Sequence, residues 1–163
     1  MKKTVRKKTV RAVMVAAAVP ALVMAASGSA SADGWVTWKN LKSSLWLSYE
    51  RVGTGVKGDL GGVQWEPQWW EVENSDTSWN MTTGTMNSDG SSRCLTGYYR
   101  QIYTENCWHN RDQTNWWQRW YEIPTSNGWK LKNRQTGYML DDAGNGGIYG
   151  NATDYNNSNQ RWK

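Results

Sequence analysis

An all-β domain of short strands, closed as a barrel or stacked as a sandwich, is what this 163-residue sequence predicts, and three observations carry the prediction. After residue 33 no apolar residues recur at helical spacing. Short runs such as Trp35-Val36-Thr37-Trp38, Gln101-Ile102-Tyr103-Thr104 and Trp129-Lys130-Leu131 alternate instead with turn formers such as Gly53-Thr54-Gly55, Asp89-Gly90 and Gly144-Asn145-Gly146-Gly147. Finally, Gln68-Trp69-Trp70, Gln118-Arg119-Trp120 and Gln160-Arg161-Trp162 each spell Gln, any residue, Trp. Each closes a segment that begins near a Trp (Trp38, Trp79, Trp129), passes a Leu (Leu47, Leu95, Leu140) and then a Val or Ile step (Val56, Ile102, Ile148). Read this way the closing Trp residues lie 50 and then 42 residues apart, a period that marks a threefold internal repeat with copies at about 34–73, 79–123 and 128–163.

The chain opens differently. Lys2, Lys3, Arg6, Lys7, Lys8 and Arg11 precede an Ala-rich apolar run from Ala12 to Ala26, and Ala30-Ser31-Ala32 offers small residues for cleavage, so residues 1–32 read as a secretory signal. The run is shorter than the roughly 20 residues of a spanning helix and is broken by Pro20, which argues against membrane insertion. Six of the 19 basic residues fall in this leader and none of the 14 acidic ones, so residues 33–163 carry a formal charge of only −1. A nucleic-acid partner would need a basic face, and no Lys/Arg cluster supplies one.

All 13 Trp and 8 Tyr lie after the leader, with no Phe, so indoles must build much of the core of one exported domain. Cys94 and Cys107 are an even pair in such a chain, and a disulfide is expected, local to the middle copy because Trp46 and Met139 hold the corresponding place in the others. The polar stretch from Asn74 to Arg93 reads as an enlarged, exposed connection between the first two copies.

Cys94-Leu95, Ile102-Tyr103-Thr104-Glu105-Asn106-Cys107 and Gln118-Arg119-Trp120, with Met139-Leu140-Asp141, Ile148 and Asn159-Gln160-Arg161-Trp162, resemble successive ricin B-type lectin repeats. The resemblance covers the chain after the leader. It implies a β-trefoil, in which two strands of each copy enter a six-stranded barrel and two form a hairpin cap. It also implies that Trp70, Trp120 and Trp162 meet in a shared core.

The same resemblance implies a secreted carbohydrate-binding domain. In sugar-binding copies of that family a carboxylate follows the Leu, an aromatic follows the Val/Ile step, and Asn-Gln opens the closing motif. The third copy keeps Asp141, Asn159 and Gln160, while the aromatic position falls on Asn151, so Tyr149 or Tyr155 must substitute. Asp141 could alternatively cap a turn beside Asp142 and Gly144. In the second copy Thr96, Glu105 and Trp117 replace the three groups, but Tyr98, Tyr99, Trp108, Trp116 and Trp117 gather as core packing or as an aromatic groove. Ser48 and Pro67 leave the first copy without a site.

Catalysis finds little support. His109 is the single histidine, flanked by Trp108 and Asn110, and Glu71 with Glu73 is the acidic pair whose spacing lets both face one side of a strand. A calcium loop begun at Asp154 lacks its turn Gly and its bidentate acid, and neither a metal nor a cofactor is expected. The expected partner is a glycan or polysaccharide, with a protein partner as the rival.

Overall fold

A computed structural model describes residues 33–84, 92–107 and 115–163. The leader, Trp108 and His109 lie outside them. The described residues hold no α-helix, and none of their helical turns is long or apolar enough to cross a membrane.

The architecture is a β-trefoil. Strands β1 (Gly34–Thr37), β5 (Gln68–Glu73), β6 (Trp79–Thr83), β9 (Trp120–Thr125) and β10 (Gly128–Asn133) pair in the series β1–β5–β6–β9–β10. The last three residues close the ring, with Trp162 bridging Trp129 on one side and Asn40 on the other. Hairpins β2 (Trp46–Glu50) with β3 (Val56–Asp59), β7 (Arg93–Tyr98) with β8 (Gln101–Asn106), and β11 (Met139–Asp142) with β12 (Ile148–Asn151) form the cap. The short strand β4 (Trp65–Glu66) pairs with β2. Backbone bonds Gly58 N to Gly146 O, Thr104 N to Thr54 O and Gly150 N to Arg100 O join each hairpin to the turn of the one before it around the axis, at positions 46 residues apart.

Three indoles tie barrel to cap. Trp69 Nε1 donates to Leu47 O at 2.9 Å, Trp120 Nε1 to Leu95 O at 2.9 Å and Trp162 Nε1 to Leu140 O at 3.2 Å. All six residues are fully buried. The first-copy member is therefore Trp69 and not Trp70, which corrects the expected register by one residue. Pro67 occupies the place of Gln118 and Gln160, and the first interval lengthens to 51 residues. The reason is the two-residue period of a strand: Trp69 and Glu71 point inward, so Trp70 must point out. There it meets the exposed Trp35 edge-to-face at 5.4 Å.

The opening residues of the copies shift as well. Val36, Trp79 and Trp129 stand opposite Trp69, Trp120 and Trp162, whereas Trp38 is equivalent to the core residues Met81 and Leu131. Nor is Asn74–Arg93 simply a connection. Trp79, Met81 and Thr83 alternate into the barrel as β6, and Arg93 is buried as the first residue of β7, its guanidinium donating to Glu50 O at 2.8 Å. Cys94 and Cys107 form the expected disulfide, with Cα atoms 4.9 Å apart.

Glu71 and Glu73 share a face, standing opposite Met81 and Trp79, but lie at different depths. Glu73 is exposed, while Glu71 turns into the barrel, accepts from Trp38 Nε1 at 3.0 Å and meets Glu122, two residues beyond Trp120 as Glu71 is beyond Trp69. Burial first, and then Glu122, push the Glu71 carboxyl up to about 9, while burial also raises Glu122. A proton shared between two carboxyls at the barrel end fits both shifts.

Two measurements check this core. Trp69→Ala should lower unfolding free energy by about 3–5 kcal/mol in urea titrations. Trp70→Ala should cost only about 1 kcal/mol, the worth of an aromatic pair near the surface. Folded Glu71 keeps its proton up to about 9, whereas the unfolded group ionises near its ordinary value of 4.5. Stability is therefore greatest in acid and falls as pH rises between those values, and Glu71→Gln should flatten the difference between denaturation curves at about pH 5 and about pH 8.

Candidate functional site

The third hairpin builds a polar cluster around one carboxylate. Asp141 on β11 stands directly opposite Tyr149 on β12, and directly opposed residues share a face of the ladder. Asp141 Oδ2 accepts from Asn151 Nδ2, Asn157 Nδ2 and Gln160 Nε2, each at 3.0 Å. Its Oδ1 is buried and makes no hydrogen bond of full geometry. Asp142, not Asp141, caps the turn, accepting from Gly144 N at 2.8 Å and from Ser43 Oγ at 2.5 Å.

Gln160 is the hinge of the cluster. It sits in a short 3-10 turn, Ser158–Gln160, whose preceding Asn157 side chain accepts from Asn159 N at 2.9 Å. Its Nε2 also donates to Ala152 O at 2.8 Å, and its Oε1 accepts from Asp154 N at 3.0 Å and Lys130 Nζ at 3.2 Å. Lys130 is itself buried, and burial lowers the pKa of its ammonium even though Asp154 and Asp141 oppose the shift. The Gln160 amide thus fixes an anion and a cation at its two ends.

Among the expected residues, Asp141, Tyr149 and Gln160 converge. The Tyr149 phenol is pushed above its usual value by burial, then by the Asp141 charge and by its hydroxyl's approach to that carboxylate, so it stays neutral, and the Arg100 guanidinium lies 5.4 Å from its ring centre. Asn159 does not bring its amide to Asp141; its backbone carbonyl instead accepts from Asn40 Nδ2 at 2.7 Å. Asn157 supplies that second amide, and Asn151, at the family's aromatic position, supplies a third. Tyr155 is exposed above Lys130, with the ammonium 5.8 Å from its ring. Sequence reasoning missed Asn151, Asn157 and Lys130. The run of Asn and Ser before Gln160 was the available signal, and its register against Asp141 depends on the path of the turn.

The second copy divides its aromatics. Tyr98, Tyr99 and Trp117 form one surface cluster, with Tyr98 4.8 Å from Tyr99 and 4.9 Å from Trp117. Trp116 stands apart under the Arg134 guanidinium at 4.3 Å, and Trp108 lies outside the described residues. Thr96 is buried, and Gln118 Nε2 donates to Glu105 Oε1 at 3.1 Å, so an acid reaches the repeat's Gln from another strand. In the first copy Ser48 is buried and bonded to Trp46 O, and Lys57 stands where Tyr149 does, over the Trp65 ring.

The sequence matches no protein-family model and no curated relative. Solved structures do share the fold. Cry35Ab1 aligns with a TM-score of 0.65 and 15% identity over 78% of this chain, which spans only 34% of that longer chain. SeviL, solved bound to asialo-GM1 saccharide, aligns at 0.60 and 15% over 79% of this chain and 94% of its own. The designed threefold-symmetric protein ThreeFoil aligns at 0.57 and 16% over 79% and 96%. At such identities the likeness extends to the fold, and residue roles in this chain rest on its own geometry.

Proposed function

We propose that this is an exported carbohydrate-binding domain without catalysis of its own, in which the third copy holds the sugar. One observation carries the reading: three amides saturate Oδ2 of a fully buried Asp141, while Oδ1 makes no hydrogen bond of full geometry and only the Tyr149 hydroxyl approaches the carboxylate. Leaving a buried acceptor unmet costs about 1–3 kcal/mol, and a sugar hydroxyl donating to Oδ1 removes that cost. Tyr149 beside the carboxylate supplies an apolar ring face, and the half-buried Asn151 and Asn157 add amide groups suited to neighbouring hydroxyls. Opening the pocket requires Tyr149 or an Asn side chain to move aside, so binding and a local rearrangement go together.

The saccharide-bound state of SeviL, on the same fold, supports the reading, as do the ricin B-type motifs of the second and third copies. Export agrees with the leader and with the Cys94–Cys107 disulfide. A second reading, docking to a protein, is favoured by the surface cluster of Tyr98 and Tyr99, which are 46% and 63% exposed, with Trp117. Such residues dominate protein interfaces.

A glycan array followed by titration calorimetry tests the site with wild type, Asp141→Asn and Tyr149→Ala. Asp141→Asn should weaken sugar binding about 10- to 100-fold, the loss of a charge-assisted bond. Tyr149→Ala, which leaves the buried amide network in place, should weaken it as well, while Trp117→Ala should not. Failure of the wild type to bind any glycan, or unchanged binding by Asp141→Asn and Tyr149→Ala, removes the third-copy site and turns attention to the aromatic cluster.

A further inference from the structure

The outward turn of Trp70 has a counterpart across the seam between the first and second copies. Thr83, Asn133 and Asn40 stand opposite Trp69, Trp120 and Trp162, so the residues that follow them, Gly84, Arg134 and Leu41, are threefold equivalents. Two seams place a long side chain there and the first places none. Trp35 occupies that space, since a Cβ added to Gly84 would overlap its Cη2. The result is a cleft of about 330 Å³ walled by Trp35, Trp70 and Val72 of the first copy and Thr82, Thr83 and Gly84 of the second. A second cleft of about 190 Å³, shared at Trp35 and Gly84, continues to Tyr49, Glu66 and Gln68.

We infer that this seam is a binding site for an uncharged oligosaccharide, separate from the third-copy pocket. Trp35 keeps 55% of its surface exposed while Trp70 holds its ring edge-to-face at 5.4 Å, which makes a large apolar plane with few rotamers to freeze. Among the described residues no Lys or Arg lines either cleft, and Glu66, the one ionised group among them, is already bound by Arg51 at 2.7 Å. These residues offer a charged ligand no free counter-ion. The Thr82 hydroxyl and the exposed Gln68 amide offer donors and acceptors around the plane. An apolar floor with a few polar groups at its rim suits a pyranose whose ring face carries C–H bonds and whose edge carries hydroxyls. Two clefts sharing one indole favour more than one sugar unit.

Titration of ¹⁵N-labelled protein with cellohexaose and, separately, with chitohexaose tests the site, read at the indole N–H resonances. The Trp35 and Trp70 signals should shift with either probe, and Trp35→Ala should reduce affinity at least about tenfold. Gly84→Ala, which pushes the indole out without removing it, should do the same. Tyr149→Ala should leave these shifts in place even if it abolishes third-copy binding, so the two sites fail separately. Absence of shifts with both probes at about 10 mM, or unchanged affinity in both Trp35→Ala and Gly84→Ala, overturns the assignment.

Discussion

Every buried indole brings a donor that must be satisfied, and in this protein three of them do so by holding the barrel to its cap. Trp69, Trp120 and Trp162 each rise from a closing strand and donate to the backbone carbonyl of a hairpin Leu. The bond fixes the depth of the ring as well as its partner, because the indole cannot slide without orphaning its N–H in an apolar core. Leu47, Leu95 and Leu140 are thereby set at one level, and the three hairpins lock turn to strand at intervals of 46 residues. Unequal copy lengths are absorbed outside this framework: the second copy spends 16 residues from Trp79 to Leu95 against 11 from Trp129 to Leu140, and 25 from Leu95 to Trp120 against 22 from Leu140 to Trp162.

That constraint explains which parts of the fold were legible. Closing Trp, hairpin Leu and the Val56, Ile102, Ile148 step are readable because packing around a threefold axis repeats apolar identity at each point. The disulfide was legible from an even pair of cysteines behind a leader that reads as an export signal. The first closing strand was not, because Gln68-Trp69-Trp70 presents two adjacent indoles and the motif picks the wrong one. Inward alternation of Trp69 and Glu71 against Thr83 and Met81 settles the choice, and it requires knowing which strand lies beside them. A similar ambiguity hid β6 inside a polar stretch, since Trp79, Met81 and Thr83 are separated by Asn80 and Thr82.

The sites were partly legible for the same reason. Asp141 and Gln160 belong to the framework, one beside a core Leu and the other two residues before a core Trp, so the family pattern finds them. Asn151 and Asn157 act through loop geometry that no spacing encodes. The paired Glu71 and Glu122, and the seam between Trp35 and Gly84, arise from contacts between copies and have no signature within any one of them. Glu71 and Glu122 are equivalent positions brought together from two copies, while the seam departs from threefold symmetry, with Gly84 where the other seams carry Arg134 and Leu41.

The claim on which all of this rests is the assignment of Trp69, with Trp120 and Trp162, to the buried donors. Hydrogen exchange of the tryptophan indole N–H groups, followed by two-dimensional NMR in deuterated buffer, measures it directly. The account predicts that the Trp69, Trp120 and Trp162 protons exchange only through global unfolding, while that of Trp70 exchanges many times faster. Slow exchange at Trp70 together with fast exchange at Trp69 would contradict it.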